Sequence, residues 1–470
     1  MASVVTPDLC IIGGGSAGLS LAAGAAQMGA QTVLIESGKM GGDCLNYGCV
    51  PSKSVIACGK AAAIARGSTH LGVTSGGVAI DLAKVRQHVE QVIKTIEPHD
   101  SVERFTGLGV QVIEDQGEFY HADEVRAGGL RIRARRFAIA TGSRASIPPI
   151  PGLDQVDYLT NETVFEATGE LKHLLIVGAG PIGCELAQAY ARLGVTVSLF
   201  DMGSILPRED PEMRDVVRER LLADGVELFE QCSIQSVAAG PKITFALDRK
   251  TDTIAGSHIL IATGRRPNIE NIGLDAAGIA YTRAGITVNA RLQTSNPKIY
   301  AMGECNGHMQ FTHAAGYQAG VVLKNVLLRI PAKASAQMPR VTFTDPEIAY
   351  VGRTEAELSE QGVEHKVMRF SFSGNDRALA DAHGDGFCKV MVSAKGKILG
   401  AGLVGHQAGD LLAPWVHAVE NQLKIAQIAS TVMPYPTYSE INKRVAGQYF
   451  QPQIFGERMK SIVRFLARFG

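Results

Sequence analysis

An α/β fold, with two Rossmann-like dinucleotide-binding domains and a C-terminal α+β domain, is predicted by three observations in this sequence. Two glycine-rich turns, Gly13-Gly14-Gly15-Ser16-Ala17-Gly18 and Gly178-Ala179-Gly180-Pro181-Ile182-Gly183, each join a short apolar strand to a helical run. Each is followed by a second apolar strand that ends in an acid, Glu36 or Asp201. The last part of the chain alternates strand and helix patterns without such a turn.

The first unit reads as a strand over Asp8–Ile12, a helix over Leu19–Met28 and a strand from Thr32 to Ile35 that closes on Glu36. Glycines there permit a tight turn and close approach of the backbone to a pyrophosphate, whose charge meets the helix N-terminus. Gly13, Gly15, Ser16, Ala17 and Gly18 are the candidate contacts, with Glu36 placed to hydrogen-bond a ribose. The second unit repeats the pattern: a strand over Leu174–Val177, a helix over Cys184–Leu193 and a strand over Val195–Phe200. Its candidate contacts are Gly178, Gly180, Ile182, Gly183 and Asp201. Two fingerprints imply two dinucleotides. An acid at the end of the second strand favours a free ribose 2′-hydroxyl, hence NADH over NADPH. No arginine follows immediately, although Arg208 lies a few residues on. Two apolar runs, ending Thr141-Gly142-Ser143 and Thr263-Gly264-Arg265, each close the stretch behind one fingerprint and mark a half-repeat.

Shortly after the first fingerprint comes Gly41-Gly42-Asp43-Cys44-Leu45-Asn46-Tyr47-Gly48-Cys49-Val50-Pro51-Ser52-Lys53. A disulfide between Cys44 and Cys49 closes only a short loop and removes little entropy from the unfolded chain. Redox chemistry beside a bound dinucleotide explains the pair better. Pro51 suits the first turn of a helix, which puts Cys49 at a helix N-terminus where a thiolate is favoured.

With these motifs the chain resembles the flavoprotein disulfide reductases, class I pyridine nucleotide-disulfide oxidoreductases such as glutathione reductase, dihydrolipoamide dehydrogenase and mercuric reductase. The likeness runs from about Asp8 to about Gln451. It implies FAD on the first fingerprint and NAD(P)H on the second, with Cys44 and Cys49 as the redox-active disulfide. Cys49 would face the flavin, and Cys44 would be the outer thiol that attacks substrate. Lys53 would lie near the reactive flavin nitrogen, paired with Glu185. Gly42, Asp43, Thr141, Gly142 and the run Ile299–Glu304, with Gly303 and Glu304, would complete the FAD site, and Gly264 would lie with the nucleotide contacts. Val341–Glu347 resembles the start of a dimerisation domain. The implied layout is 1–150 and 269–335 for FAD, 151–268 for NAD(H), 336–452 for dimerisation and 453–470 as a tail. A homodimer would share its active sites, with Tyr435 and Glu440 acting in trans.

Four features depart from the family pattern. Tyr435 stands where the C-terminal motif usually has histidine, while Glu440 remains. A phenol titrates near about 10 and is a weak base at neutral pH. Mercuric reductases also place tyrosine here, yet Phe455–Gly470 lacks their adjacent cysteine pair. Glu304 replaces an aspartate, and its extra methylene is expected to be absorbed by local backbone shifts. Pro181 stands where several relatives have a tyrosine that covers the flavin, so less gated access and leakage to oxygen are expected. The expected activity is transfer of electrons from NADH through FAD and the Cys44–Cys49 pair to an unidentified acceptor: a small disulfide, a metal ion or another oxidant. Mercury(II) reductase or dihydrolipoyl dehydrogenase proper are the alternatives within the class, and a redox-sensing interaction protein is the alternative outside it.

Composition bounds the rest. Lys plus Arg and Asp plus Glu each number 46, so no nucleic-acid footprint is expected. Apolar runs are too short or too glycine-broken to span a bilayer, and the N-terminus has no basic leader, so a cytoplasmic protein is expected. Cys10, Cys58, Cys184, Cys232, Cys305 and Cys388 read as buried small apolar residues, and His308, His406 and His417 show no metal-ligand spacing. His313 reads as a packing residue. Gly128-Gly129 reads as a hairpin turn between strands Glu118–Val125 and Leu130–Phe137. The last domain is expected to hold strands Phe387–Ser393 and Ile398–Val404 and a helix Asp410–Asn421. The tail carries Ile454, Phe455, Met459, Ile462, Val463, Leu466 and Phe469 at helical spacing, punctuated by Arg458, Lys460, Arg464 and Arg468. Such a helix most often buries its face on the molecule's own dimer; peripheral contact with a membrane surface is the other occupant it suits.

Overall fold

The computed structural model describes residues 3–167, 171–335 and 337–469; Gly470 of the tail and the boundary residue Ala336 lie outside them. The chain forms two compact units. One runs to Ser204 and resumes at Gly225; the other comprises Ile205–Asp224 and the chain from Gln337 on.

The first unit contains two parallel sheets. The five-stranded one has the order Ile299–Ala301, Arg136–Ile139, Leu9–Ile12, Thr32–Glu36, Val110–Glu114. Successive residues of a strand face opposite sides. Leu9, Ile11 and Leu34 therefore pack under the helix Ser16–Gln27, while Cys10, Ile12, Val33 and Ile35 join a second core with Phe119, Val125 and Phe137. The four-stranded sheet has the order Val226–Phe229, Thr196–Phe200, His173–Val177, His258–Ile261. Both fingerprints sit as predicted, except that the helices begin earlier, at Ser16 and Pro181. The last residues of each glycine turn already have helical geometry, which apolar periodicity does not register.

A short antiparallel ribbon, Ser143–Ala145 against Arg265–Pro267, links the two Thr-Gly turns. The bonds cross: Ser146 N–H donates to Gly264 O at 2.9 Å and Asn268 N–H to Gly142 O at 2.9 Å. The threonine hydroxyls do the same, Thr141 to Asn268 O and Thr263 to Ser146 O.

The Gly128-Gly129 hairpin is present, both glycines having positive φ between strands Glu124–Ala127 and Leu130–Ile132. The expected long strands break, however. A turn at Ala122-Asp123 separates Glu118–His121 from Glu124–Ala127, and Arg136–Ile139 leaves the hairpin for the parallel sheet. A stretch that serves two sheets looks continuous to an alternation count.

The second unit is built on a five-stranded antiparallel sheet in the order Arg340–Thr342, Glu347–Gly352, Ile398–Gly405, Phe387–Val392, Lys366–Ser371. The expected helix Asp410–Asn421 is two, Ala408–Leu411 and Ala413–Glu420, with Pro414 at the start of the second. Trp415 is fully buried and donates to Asn442 Oδ1 at 2.7 Å. Lys389, 6% exposed, is enclosed by Asp210 at 2.9 Å, Glu212 at 2.8 Å and Glu355 at 2.6 Å. The tail folds as helices Gln451–Ile454 and Glu457–Leu466 rather than one. At the break a side chain on Gly456 would meet Pro452 O at 2.7 Å.

Among the described residues no helix is long and apolar enough to cross a membrane. Cys10, Cys184, Cys232, Cys305 and Cys388 are buried as expected, but Cys58 is only half-buried. It lies on the helix Cys49–Gly67 but outside the set it buries, Pro51, Ser54, Val55, Ile56, Gly59 and Ala62.

Candidate active site

The glycine turns are shaped by backbone contacts that allow no side chain. At Gly13, φ +112°, an added Cβ would overlap the carbonyl of Ala140, and at Gly178, φ +104°, it would meet Ala262 O at 2.5 Å. Gly18 and Gly183 leave no room against the carbonyls of Gly13 and Gly178 respectively. Each strand-end acid then ties its loop shut. Glu36 accepts from the N–H of Gly14 and of Gly38, and Asp201 accepts from Ala179 N–H and Gly203 N–H, both at 2.7 Å. Their remaining lone pairs can accept from a ribose. Gly180 has open space where a side chain would be, and Ile182 lies half-buried in the first helical turn.

A cavity of about 530 Å³ opens from the first turn. Gly13, Gly15, Ser16, Ala17, Glu36, Gly42, Asp43, Cys44, Thr141, Gly142, Gly303 and Glu304 all line it. The cysteine loop reaches it because Gly42, at φ +60°, passes so near Gly15 that a Cβ would lie 2.7 Å from the Gly15 Cα. A bare-backbone cradle, an acid at the strand end and a thiol at the far wall fit a dinucleotide bearing a redox-active ring. Gly183→Val is expected to crowd the second turn without touching the first. Purified protein should stay yellow, while the NADH concentration needed for half-reduction rises about tenfold or more in an anaerobic titration, the equivalent of some 1.4 kcal/mol.

The helix Cys49–Gly67 begins at Cys49 itself. The Cys49 thiol is pulled down to about 6, chiefly because Cys44 donates a hydrogen bond to its sulfur, with further help from the Thr312 hydroxyl and the Lys53 charge against the opposing effect of burial. The Cys49 Sγ to Thr312 Oγ1 distance is 3.3 Å. Cys44, as the donor and partly buried, is pushed up. The pair is therefore divided into one acidic and one basic thiol. Lys53 Nζ lies 2.8 Å from Glu185, which is 6% exposed on the helix Pro181–Arg192. Gly59 lets the two helices meet, an added Cβ there lying 3.1 Å from the Ala189 Cα.

One family profile, pyridine nucleotide-disulphide oxidoreductase, matches residues 7–319, and its dimerisation domain matches residues 338–446. The chain belongs to the pyridine nucleotide-disulphide oxidoreductases. Curated relatives of this family include the mercuric reductase of Staphylococcus aureus, 32% identical over 92% of this chain and 80% of its own length. The dihydrolipoyl dehydrogenase of Geobacillus stearothermophilus is 31% identical over 94% and 96%. Among solved structures, LpdA from Mycobacterium tuberculosis superposes with a TM-score of 0.85 at 27% identity, covering 95% of this chain and 99% of that one. The Cu(II) complex of the HOCl-induced flavoprotein disulfide reductase RclA from Escherichia coli gives 0.82 at 25% identity, covering 93% and 99%. As a pyridine nucleotide-disulphide oxidoreductase, the chain is an NAD(P)H-dependent flavoprotein enzyme, with FAD and a pyridine nucleotide as its cofactors.

Several site residues of this oxidoreductase carry no sequence signal. Thr312, the first residue of its helix, is one. Arg265 is another: it lies 3.2 Å from each of the Asp43 and Glu304 carboxylates, and Glu304 also accepts from Ser143. Burial pushes the Asp43 carboxyl up, opposed by Arg265. His313 stacks on Phe311, with ring centroids 5.2 Å apart, in keeping with packing. Among the described residues no group of three or more His, Cys, Asp and Glu side chains is arranged to hold a metal ion. Tyr435 and Glu440 belong to the second unit. Tyr435 is exposed and donates to Asp376 Oδ2 at 3.0 Å, which pushes its phenol further up. Glu440 opens the helix Glu440–Gln448 and pairs with Arg444 at 3.2 Å.

Proposed function

We propose that this enzyme passes electrons from NADH, by way of FAD, to a Cys44–Cys49 disulfide and from there to a soft metal ion or other soft electrophile. The observation that carries the reading is the split thiol pair, whose Cys44 lines the dinucleotide cavity and whose Cys49 is held as the acidic partner. Bound FAD would accept electrons two at a time from the nicotinamide and release them to sulfur. The residues' own work is binding and charge placement. Gly13, Gly15, Gly18, Ser16, Ala17 and Glu36 hold the FAD nucleotide portion; Gly42, Asp43, Thr141, Gly142, Gly303 and Glu304 line the rest. Gly178, Gly180, Ile182, Gly183, Asp201 and Gly264 hold NADH, Asp201 favouring a free ribose 2′-hydroxyl over a phosphate by charge. Lys53, oriented by Glu185, supplies positive charge to an electron-rich ring. Cys49 stays ionised while Cys44 keeps its proton until it attacks.

Tyr435 and Glu440 act from the partner in a twofold homodimer. A phenol already hydrogen-bonded to a carboxylate cannot take a proton from an incoming dithiol at neutral pH, which disfavours dihydrolipoamide as the physiological partner. Two-coordinate thiolate binding suits soft metals. The mercuric reductase relatives and the copper complex of RclA support that acceptor class.

Anaerobic titration with NADH and NADPH, followed by turnover with Hg(II), Cu(II), lipoamide and glutathione disulfide, tests the proposal. Preference for NADH and for a metal ion supports it; fastest turnover with a disulfide overturns the acceptor, and slow turnover with all supports a redox sensor instead. The long-wavelength absorbance of a thiolate beside oxidised flavin, in two-electron-reduced enzyme, should be present above about pH 6 and fade as pH falls through that value. Lys53→Met removes a positive charge that favours the thiolate, so the midpoint should move up. Tyr435→His should speed oxidation of dihydrolipoamide by about tenfold or more, read from kcat/KM with NAD⁺ as acceptor, because it restores a base near neutrality.

A further inference from the structure

We propose that the helix Glu457–Leu466 docks this enzyme on an anionic lipid surface, lying in the interface without crossing it. The helix lies beyond residue 446, the last that the family's dimerisation domain matches. Met459, Ile462, Val463 and Leu466 fall at helical spacing on one face, with Phe465 and Phe469 at its edge. None is covered: Leu466 is 59% exposed and Phe469 74%. Phe455, just before the helix, is 68% exposed.

The opposite face is cationic. Lys460, Arg464 and Arg468 share it, Arg458 stands at the apolar rim, and Glu457 is the one acid of the segment. The whole chain balances its charges, so this concentration is local. An apolar stripe backed by long basic side chains matches the headgroup–acyl boundary of an anionic bilayer: the stripe inserts and the cations reach phosphates. A second copy of the same helix is a worse match. Isologous pairing would bring like-charged rims together, and the one acid, Glu457, is already paired with Lys460 at 2.8 Å.

The full-length holoenzyme should be sedimented with vesicles of phosphatidylcholine alone and of phosphatidylcholine with about one third phosphatidylglycerol. At least about fivefold more protein should pellet with the anionic vesicles, and about 0.5 M salt should release most of it. Leu466→Asp, on the apolar face, and Arg464→Glu with Arg468→Glu, on the polar face, should each abolish pelleting. NADH oxidation and dimer mass by light scattering should be unchanged in both. Equal or absent pelleting with the two vesicle types overturns the proposal. So does a fall to monomer mass in Leu466→Asp, which would assign the apolar face to the subunit interface.

Discussion

Cys49→Ser is expected to abolish acceptor turnover while leaving the protein yellow. NADH-driven reduction of the acceptor should fall by about 10³-fold or more, the scale on which loss of a reacting nucleophile is felt. The long-wavelength band of the two-electron-reduced enzyme should vanish with it. A serine hydroxyl does not ionise in the working pH range and cannot close a disulfide. FAD retention is expected because Gly13, Gly15 and Glu36, which line the cavity, are untouched. Cys44→Ser should act differently. A hydroxyl can still donate to the Cys49 sulfur, and Thr312 and Lys53 remain beside it. That variant should show the thiolate band before any reductant is added, yet turn over as poorly as Cys49→Ser. Equal turnover of either variant and the parent enzyme would mean that electrons leave the flavin without passing through sulfur.

Lys389→Met is expected to cost the second unit about 3 kcal/mol, read as a lowered midpoint in chemical denaturation. Removing one member of a buried ion pair costs 3–5 kcal/mol because the partner charge is left without compensation. Asp210 is that partner, 5% exposed, whereas Glu212 and Glu355 are about half in water and largely screened. The low end of the range is therefore expected. Glu355→Gln should lower stability by under about 1 kcal/mol, as for an exposed pair. A Lys389→Met loss no larger than that of Glu355→Gln would show the lysine to be hydrated and its enclosure unimportant.

Local chemistry accounts for what could be read in advance. The βαβ units declared themselves because each of their parts has its own physical reason: apolar strand, side-chain-free turn, small-residue helix, terminal acid. Twelve residues named from sequence meet at one cavity because the cysteine loop and the first turn share a single backbone approach at Gly42 and Gly15. What escaped was long-range. Thr312 comes to Cys49 across 263 positions of sequence, and Arg265 reaches Glu304 across 39. A lone threonine or arginine has no spacing to betray it. The broken strands after Gly117 and the divided tail failed for another reason. Apolar periodicity continues through a turn, whereas the chain stops at Ala122-Asp123 and at Gly456 to satisfy other neighbours.

The ribbon that joins the two Thr-Gly turns limits how freely this enzyme can be taken apart. Each nucleotide lobe completes the other's hydrogen bonding, through Thr141 to Asn268 in one direction and Thr263 to Ser146 in the other. Neither lobe is a portable module. A fragment cut to carry only the sheet of the second glycine turn would expose donors and acceptors on the cut edge, and swapping that part between relatives will succeed only when residues 143–146 travel with it.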